Sequence, residues 1–222
     1  MMGWYDLVII GAGPAGMSAA IEASGNGLKT LVLDDQPSVG GQVYRHILQN
    51  EEHRTVTPYL GEDYWAGHKL ASDFRKSSAD IRTESRVWQV TPEKDIFFSQ
   101  MGKAYRAQSD SILIATGAME RPMPIKGWTL PGVMSVGAAQ TMLKTNSSGA
   151  DSAVFAGTGP LFYLTIWQYL RAGFEVKAVI DTAPNYISPA HYFMAITALL
   201  QPRLLMKGVK WRSEIRKKTR YY

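Results

Sequence analysis

Short apolar runs and glycine-rich turns alternate near the start of the chain, in the pattern of strands joined by helices. Asp6 to Ile10 and Leu28 to Leu33 are mainly apolar, as expected of strands buried on both faces. Between them, Met17 to Ala23 has helix-forming composition, and Gly25-Asn26-Gly27 ends the predicted helix. The pattern predicts a β-α-β unit.

The middle of the chain mixes loops with shorter elements. A loop over Gln36 to Asn50 contains the run GGQVYRH, and Leu60 to Lys76 is predicted to be one helix. Three alternating runs within Ser85 to Gln108 are separated by turn residues and predict a small antiparallel meander. Ser111 to Thr116 predicts another buried strand, and Val136 to Lys144 a helix.

The last third repeats the first unit. A strand over Ala153 to Ala156, a helix over Leu161 to Arg171 and a strand over Val176 to Ile180 follow a polar segment, Thr145 to Ser152. We expect an α/β fold in which a Rossmann-like domain with a three-stranded meander precedes a partial second Rossmann-like domain. The predicted bounds are 1–144 for the first domain, 145–152 for a linker and 153–222 for the second.

Composition narrows the chemistry. The 222 residues are 45% apolar and 19% charged, as in ordinary globular proteins, and they include no cysteine. Disulfides, thiolate metal sites, iron–sulfur ligation and a dithiol redox pair are therefore excluded within this chain. No run resembles a signal peptide or a membrane span, so a cytoplasmic protein is expected.

The net charge of +5 is concentrated near the C-terminus. The segment from Arg203 to Arg220 contains eight basic residues and one acid, Glu214. Its net charge is therefore +7, and that of the rest of the chain is −2. Such a run is typically a solvated helix face; a nucleic-acid or membrane-surface patch is the alternative. We expect neither nucleic acid nor a membrane span.

The first glycine turn carries the clearest chemistry. Gly11, Gly13 and Gly16 form G-x-G-x-x-G between a predicted strand and helix, and Asp34 ends the next strand. The first glycine permits a tight turn, the second lets a pyrophosphate approach the backbone, and the third allows close helix packing. The helix N-terminus favours phosphate, and the acid can accept hydrogen bonds from a ribose. The sequence therefore predicts a dinucleotide site.

Two further stretches carry a family resemblance. DDQPSVGGQVYR, which begins at Asp34, and ILIATGAMERPMPIKGWTLPGVMSVGAAQTMLK, which begins at Ile112, accompany the glycine turn. Together they resemble the two-dinucleotide-domain flavoproteins, the pyridine nucleotide-disulfide oxidoreductase superfamily of glutathione reductase and thioredoxin reductase. Within it, the chain is most similar to the FAD subunit of opine oxidases, the second subunit of hydrogen cyanide synthase and the alpha subunit of dye-linked proline dehydrogenases.

The resemblance implies FAD in the first domain, an NAD(P)H-type second domain, a small-molecule substrate and, as the partner, a second flavoprotein subunit. It places nine residues on FAD: Gly11, Gly13, Pro14, Ala15, Gly16, Asp34, Gln42, Thr116 and Gly117. The catalytic base stays unassigned. His46 and Arg45 are candidates for the flavin neighbourhood, whereas His53, His68 and His191 have no metal-ligand spacing, and no metal is expected.

Without cysteine, electrons cannot pass from flavin to a disulfide in this chain, which leaves direct hydride transfer. The leading hypothesis is one subunit of an FAD-dependent oxidoreductase that acts on an amine, opine or amino-acid-like substrate. An NAD(P)H-dependent flavoprotein reductase is the second hypothesis. A truncated FAD-binding fragment without turnover is the third, because relatives continue beyond the helical region that follows Asp181.

The second glycine turn departs from the first. Phe162 stands where the first turn has Gly16, and we expect its ring to hold the helix away and to crowd a pyrophosphate. Asp181 would favour NAD over NADP if a nucleotide bound there. The alternative is a Rossmann-like unit kept for packing. The chain is expected to be the N-terminal part of a longer enzyme.

Overall fold

A computed structural model describes residues 3–53, 58–183 and 202–222 and divides into two compact units. Unit 1 is Met1–Met119, and unit 2 is Glu120–Tyr222. The division thus falls before the predicted linker, and residues 145–152 lie within unit 2. The assignment of a cofactor role to each predicted domain stays a prediction.

Unit 1 is built around one six-stranded sheet. Its elements are β1 (Trp4–Ile10), α1 (Pro14–Gly25), β2 (Thr30–Leu33), α2 (Glu62–Trp65), α3 (His68–Lys76), β3 (Asp80–Arg82), β4 (Ser85–Val90), β5 (Asp95–Gln100) and β6 (Lys103–Ile114), with 3-10 turns at Asn50–His53 and Pro58–Leu60. The strand order is β3-β2-β1-β6-β5-β4, parallel from β3 to β6 and antiparallel beyond. The predicted α/β fold, including the meander, is confirmed.

The core of unit 1 joins the parallel and antiparallel halves of this sheet. Val8 of β1, Leu31 of β2 and Phe98 of β5 belong to one buried cluster. On the parallel half, Met17 and Ala20 of α1 are fully buried. Burial at this level contributes roughly 1.5–3 kcal/mol for each large apolar side chain. The loops that follow β1 and β2 at their carboxyl ends are therefore attached to a well-packed core.

Two predicted elements differ from the structure. The strand predicted at Ser111 to Thr116 and the last meander strand are one continuous strand, β6, because it pairs with β5 at one end and β1 along the other. Its end is also less buried than predicted, since Ile114 is 70% exposed. The helix predicted over Leu60 to Lys76 is broken into α2 and α3 at Ala66 and Gly67.

Unit 2 contains a smaller parallel sheet covered by helices. Its elements are α4 (Val136–Asn146), β7 (Ala153–Gly157), α5 (Pro160–Arg171), β8 (Val176–Asp181), α6 (Pro202–Lys218) and β9 (Arg220–Tyr221), and the strand order is β7-β8-β9. Helix α6 packs on α5: Ile215 and Ile166 are fully buried, and the Trp167 indole donates to Glu214 at 2.7 Å. The predicted β-α-β repeat is present.

Across residues 3–53, 58–183 and 202–222, every helix is too short or too polar to pass through a lipid bilayer.

Candidate functional site

Two of the three glycines in the first turn are required by packing. Gly11 has φ of 108°, and a Cβ there would lie 2.4 Å from the carbonyl oxygen of Ala115. A Cβ on Gly16 would lie 1.9 Å from the carbonyl oxygen of Gly11. A side chain at either position would therefore collide with backbone, so the turn and helix α1 can approach closely only because both residues are glycine.

Gly13 differs from its two neighbours in the motif. Its φ of −75° and ψ of −178° suit any residue, and among the described residues a Cβ there would meet only the α-carbon of Gly41, at 3.9 Å. Neither backbone conformation nor the described protein packing requires a glycine here. A ligand that lies against the backbone would require one, because even a methyl group would hold it away.

The first turn of helix α1 presents backbone donors beside Gly13. Pro14 is the first helical residue, Ala15 is exposed, and no side chain of the described residues caps the N-terminus. The first turn holds no acidic residue. Amide groups at a helix N-terminus carry a partial positive charge, so this end of α1 favours an anionic group.

Asp34 lies at the end of β2 and is 8% exposed. Its carboxylate accepts two backbone hydrogen bonds, from the N–H of Ala12 at 2.5 Å and from the N–H of Gln36 at 2.8 Å. Burial raises the pKa of Asp34 above its ordinary value of 3.8, although those two hydrogen bonds act in the opposite direction. A carboxylate offers about four acceptor sites, so two stay available for ribose hydroxyls.

The loop that follows β2 folds back over the turn. The N–H of Gly40 donates to the carbonyl of Ala12 at 2.9 Å. Arg45 reaches two amide oxygens, Gln36 Oε1 at 2.7 Å and Gln42 Oε1 at 3.2 Å, and its Nε is buried without a partner in the described residues. Gln42 is exposed at the rim. This loop therefore brings a guanidinium and two amide side chains to the edge of the turn.

Thr116 and Gly117, the last two of the predicted cofactor-binding residues, follow strand β6. The N–H of Ala115 donates to the carbonyl of Ile10 at 2.8 Å, which holds the chain against the end of β1. Thr116 is exposed, and its α-carbon lies 3.3 Å from the Cβ position of Gly11. Gly117 has φ of 69°, which favours glycine, and has open space around it. The predicted cofactor residues thus gather around one turn.

The histidines of unit 1 do not form a metal cluster within the described residues. His46 has φ of 58°, and burial together with the charge of Arg45 lowers its pKa below 6.5. His68 lies 2.7 Å from the carboxylate of Glu51. The side chain of His53 and all of His191 lie outside the described residues. His46 is thus mainly neutral at pH 7, and its predicted place near the flavin stays a prediction.

Sequence reasoning missed Gln36 and the roles of Gly40 and Gly41. Gly40 has φ of 115° and Gly41 φ of 59°, and a Cβ on Gly41 would lie 2.8 Å from the α-carbon of Gly13. The adjacent glycines were the available signal, since paired glycines after a ribose-binding strand indicate a backbone that approaches another backbone. Arg45, a candidate for the flavin neighbourhood, is held by the neutral amides of Gln36 and Gln42, and its place near the flavin stays a prediction.

The second glycine turn is built differently. The buried ring of Phe162 packs 3.3 Å from the Cβ position of Gly157, and Gly159 precedes α5 with φ of 101°. Helix α5 thus leaves room for a ring at the place where α1 touches its turn through Gly16. Whether this turn binds a nucleotide stays a prediction.

A parallel sheet with a glycine turn between β1 and α1 and an acid at the end of β2 defines the Rossmann-like class. The family model described as pyridine nucleotide-disulphide oxidoreductase matches residues 5–219, so the chain belongs to that family.

Relatives carry the comparison further. The chain is 43% identical over 215 residues to an opine oxidase subunit from Agrobacterium tumefaciens, covering 93% of this chain and 42% of that protein. It is 35% identical to the hydrogen cyanide synthase subunit HcnB of Pseudomonas aeruginosa, covering 91% and 43%. The chain thus spans less than half the length of these curated relatives.

A solved structure shares the fold. L-proline dehydrogenase from P. horikoshii superposes with a TM-score of 0.64 at 18% identity, covering 82% of this chain and 36% of that one. At this identity the likeness establishes the fold alone. The predicted membership of the flavoprotein superfamily is confirmed by the family match and the curated relatives.

Proposed function

We propose that the chain is part of an FAD-dependent oxidoreductase and that unit 1 binds the ADP half of the cofactor. The diphosphate would lie against the turn that contains Gly13 and the N-terminus of α1, and Asp34 would accept the ribose hydroxyls. The observation that carries this proposal is Gly13, a glycine that neither its φ nor its described protein neighbours require.

The names of the relatives support the type of substrate. The relatives named as subunits of opine oxidase and of hydrogen cyanide synthase are 43% and 35% identical to this chain. We therefore propose an amine, opine or amino-acid-like substrate. Both names denote subunits, so we also propose that the chain acts in a complex with another polypeptide.

Bound FAD would supply the two-electron acceptor for oxidation of the substrate, because the chain has no cysteine pair to take that part. The residues of this chain would bind and orient the cofactor. Gln42, Thr116 and Gly117 would extend the contact surface from the turn towards the flavin. Arg45, held by Gln36 and Gln42, would add positive charge beside the diphosphate.

The test is an FAD titration of the purified chain, followed by visible absorbance and by quenching of flavin fluorescence. We expect the wild type to bind FAD and Gly13→Ala to weaken binding at least about 10-fold, equivalent to about 1.4 kcal/mol. Ser18→Ala, an exposed change on the same helix, is the matched control and should bind as the wild type does. Unchanged affinity in Gly13→Ala would contradict the proposal.

Turnover is tested separately. A complex of the chain with its partner subunit, loaded with FAD and kept anaerobic, should lose its visible absorbance when an opine such as octopine is added. Absorbance that persists with opines, amino acids and secondary amines alike would remove the proposed substrate type while leaving FAD binding intact.

A further inference from the structure

The two units place an acid at the same point of the same motif. In unit 1, Ile10 pairs with Leu33, and Gly11 and Asp34 are the residues that follow this pair on the two strands. In unit 2, Asp181 is paired with Gly157, the first glycine of the second turn. One oxygen of each carboxylate accepts the N–H two residues further along, at 2.8 Å for Asp34 and 3.0 Å for Asp181.

The other oxygen has different partners in the two units. Oδ2 of Asp34 accepts the N–H of Ala12, within the glycine turn. Oδ2 of Asp181 instead accepts the hydroxyl of Tyr163 at 2.7 Å, a guanidinium N–H of Arg212 at 3.1 Å and the hydroxyl of Tyr221. The Asp181 side chain is only 5% exposed.

Two of these donors come from the C-terminal segment, which adds a third strand to the sheet. Strand β9 pairs in parallel with β8, and the N–H of Asp181 donates to the carbonyl of Tyr222 at 3.0 Å. In unit 1, β3 takes the corresponding place, and the N–H of Asp34 donates to the carbonyl of Arg82 at 3.0 Å.

The side chains on these third strands point to different partners. Arg82 of β3 bonds to Asp80 on its own strand at 2.9 Å, whereas Tyr221 of β9 bonds to the acid of β8. Arg216 lies over the Tyr221 ring with its guanidinium carbon 4.6 Å from the centroid, which helps to hold the ring in place. The C-terminal segment is therefore built into the position that faces the acid.

Counting donors shows the consequence for a nucleotide. A carboxylate has about four acceptor sites, and Asp181 already accepts from four donors of its own chain. Asp34 accepts from two. Burial would raise the pKa of Asp181, yet hydrogen bonds from Tyr221 and Tyr163 outweigh it and lower that pKa. Oδ2 of an ionised Asp181 is thus fully occupied by donors of the described residues. Oδ1 accepts the N–H of Ala183 and keeps one acceptor site, on a side chain that is 5% exposed, so Asp181 cannot accept both hydroxyls of a ribose.

We infer that Tyr221 and Arg212 are specificity-determining residues that close unit 2 to pyridine nucleotides by occupying Asp181. The oxidoreductase would then receive electrons from its organic substrate and not from NADH or NADPH. These contacts lie wholly within unit 2, and nothing in them depends on flavin binding in unit 1.

The test is calorimetric titration of NADH and NADPH into the FAD-saturated chain. The wild type should give no saturable heat up to about 1 mM, a limit near −4 kcal/mol. The double variant Tyr221→Phe, Arg212→Gln frees two acceptor sites, and two regained hydrogen bonds predict NADH binding about 10- to 100-fold tighter. Lys217→Gln, an exposed change on the same helix, removes a positive charge without touching Asp181; it is the matched control and should behave as the wild type does.

Two further variants make the result decisive. Gly159→Ala in the double-variant background should remove the new binding, which locates it at the second glycine turn. Tyr221→Phe alone keeps the ring and tests the same idea with a smaller gain if the double variant unfolds in a thermal melt. The inference would be overturned if the wild type bound NADH saturably and if Gly159→Ala in the wild type removed that binding. A folded double variant that still ignores NADH would overturn it too.

Discussion

Two of the three glycines of one motif are required by backbone packing, and a bound ligand is the reason that we propose for the third. Gly11 and Gly16 are fixed by backbone atoms at 2.4 Å and 1.9 Å from their Cβ positions. Gly13 has no such neighbour among the described residues. Substitutions at these positions should therefore separate folding from binding.

At Gly16, we expect a stability defect. Gly16→Ala forces a methyl group into the carbonyl of Gly11, and overpacking of this kind costs about 1–3 kcal/mol. Urea unfolding of the cofactor-free chain measures the loss. Gly25→Ala is the matched control, because it is on the same helix and a Cβ there has nothing within 4 Å in the described parts of the chain. A Gly16→Ala protein as stable as Gly25→Ala would contradict the packing argument.

At the scale of elements, helices α1 and α5 contact their glycine turns in different ways. Helix α1 touches its turn directly because Gly16 has no side chain, whereas the ring of Phe162 lies between α5 and its turn. Phe162 is 3% exposed and packs on Gly157, whereas its neighbour Leu161 is 42% exposed. We expect Phe162→Ala to lower the free energy of unfolding of unit 2 by about 3–5 kcal/mol. Leu161→Ala should change it by no more than about 0.5 kcal/mol.

The measurement is denaturant unfolding followed by tryptophan fluorescence, to which Trp167 on the same helix contributes. A small loss in Phe162→Ala, similar to that of Leu161→Ala, would mean that the ring is not part of the structural support of α5.

The sequence was sufficient for the elements whose signals are local. The strands β1, β2, β7 and β8 were predicted to within a few residues because apolar runs and flanking glycines define them. The break between α2 and α3 was not predicted. A Cβ on Gly67 would lie 2.4 Å from the Tyr44 ring, so that break depends on a residue from a distant loop.

The same distinction applies to the candidate site. Asp34 could be predicted because the spacing from the glycine turn is fixed by one helix and one strand. The Gln36–Arg45–Gln42 contacts could not, because they depend on a loop whose path is set by the positive φ angles of Gly40 and Gly41. The sequence alone does not specify the conformation of such a loop.

For the whole molecule, the basic C-terminal segment is more than a solvated face. Arg212 bonds to Asp181, and Arg216 lies over the ring of Tyr221. Lys217 and Lys218 are exposed. Part of the net charge of +5 therefore lies on side chains that make contacts within unit 2. The interpretation of this segment as a solvated helix face was incomplete, because it was based on charge pattern alone.

The two units should respond oppositely to acid. The pKa of Asp34 is raised by burial, so its contribution to the stability of unit 1 is present at low pH and is lost as the pH rises through that pKa. The pKa of Asp181 is lowered, so its contribution to unit 2 is present above the ordinary value of 3.8 and is lost as the pH falls through the folded pKa.

Urea melts of the cofactor-free wild type, Asp34→Asn and Asp181→Asn between about pH 3 and pH 7 would measure both effects. The difference in stability between the wild type and Asp181→Asn should shrink on acidification. Relative to Asp34→Asn, the wild type should gain stability on acidification. The same direction of change for both pairs would contradict the assignment.

Strand β6 has one more consequence, which concerns the changes that this fold can tolerate over evolution. It pairs with β5 through Lys103–Gln108 and with β1 through Gln108–Ile114, so Gln108 belongs to both alignments. Deleting one codon at Asp110 would shift one half against the other and turn the inward side chains of that half outward. Among homologous proteins, insertions and deletions should therefore be found in the Thr91–Lys94 hairpin and not within this strand.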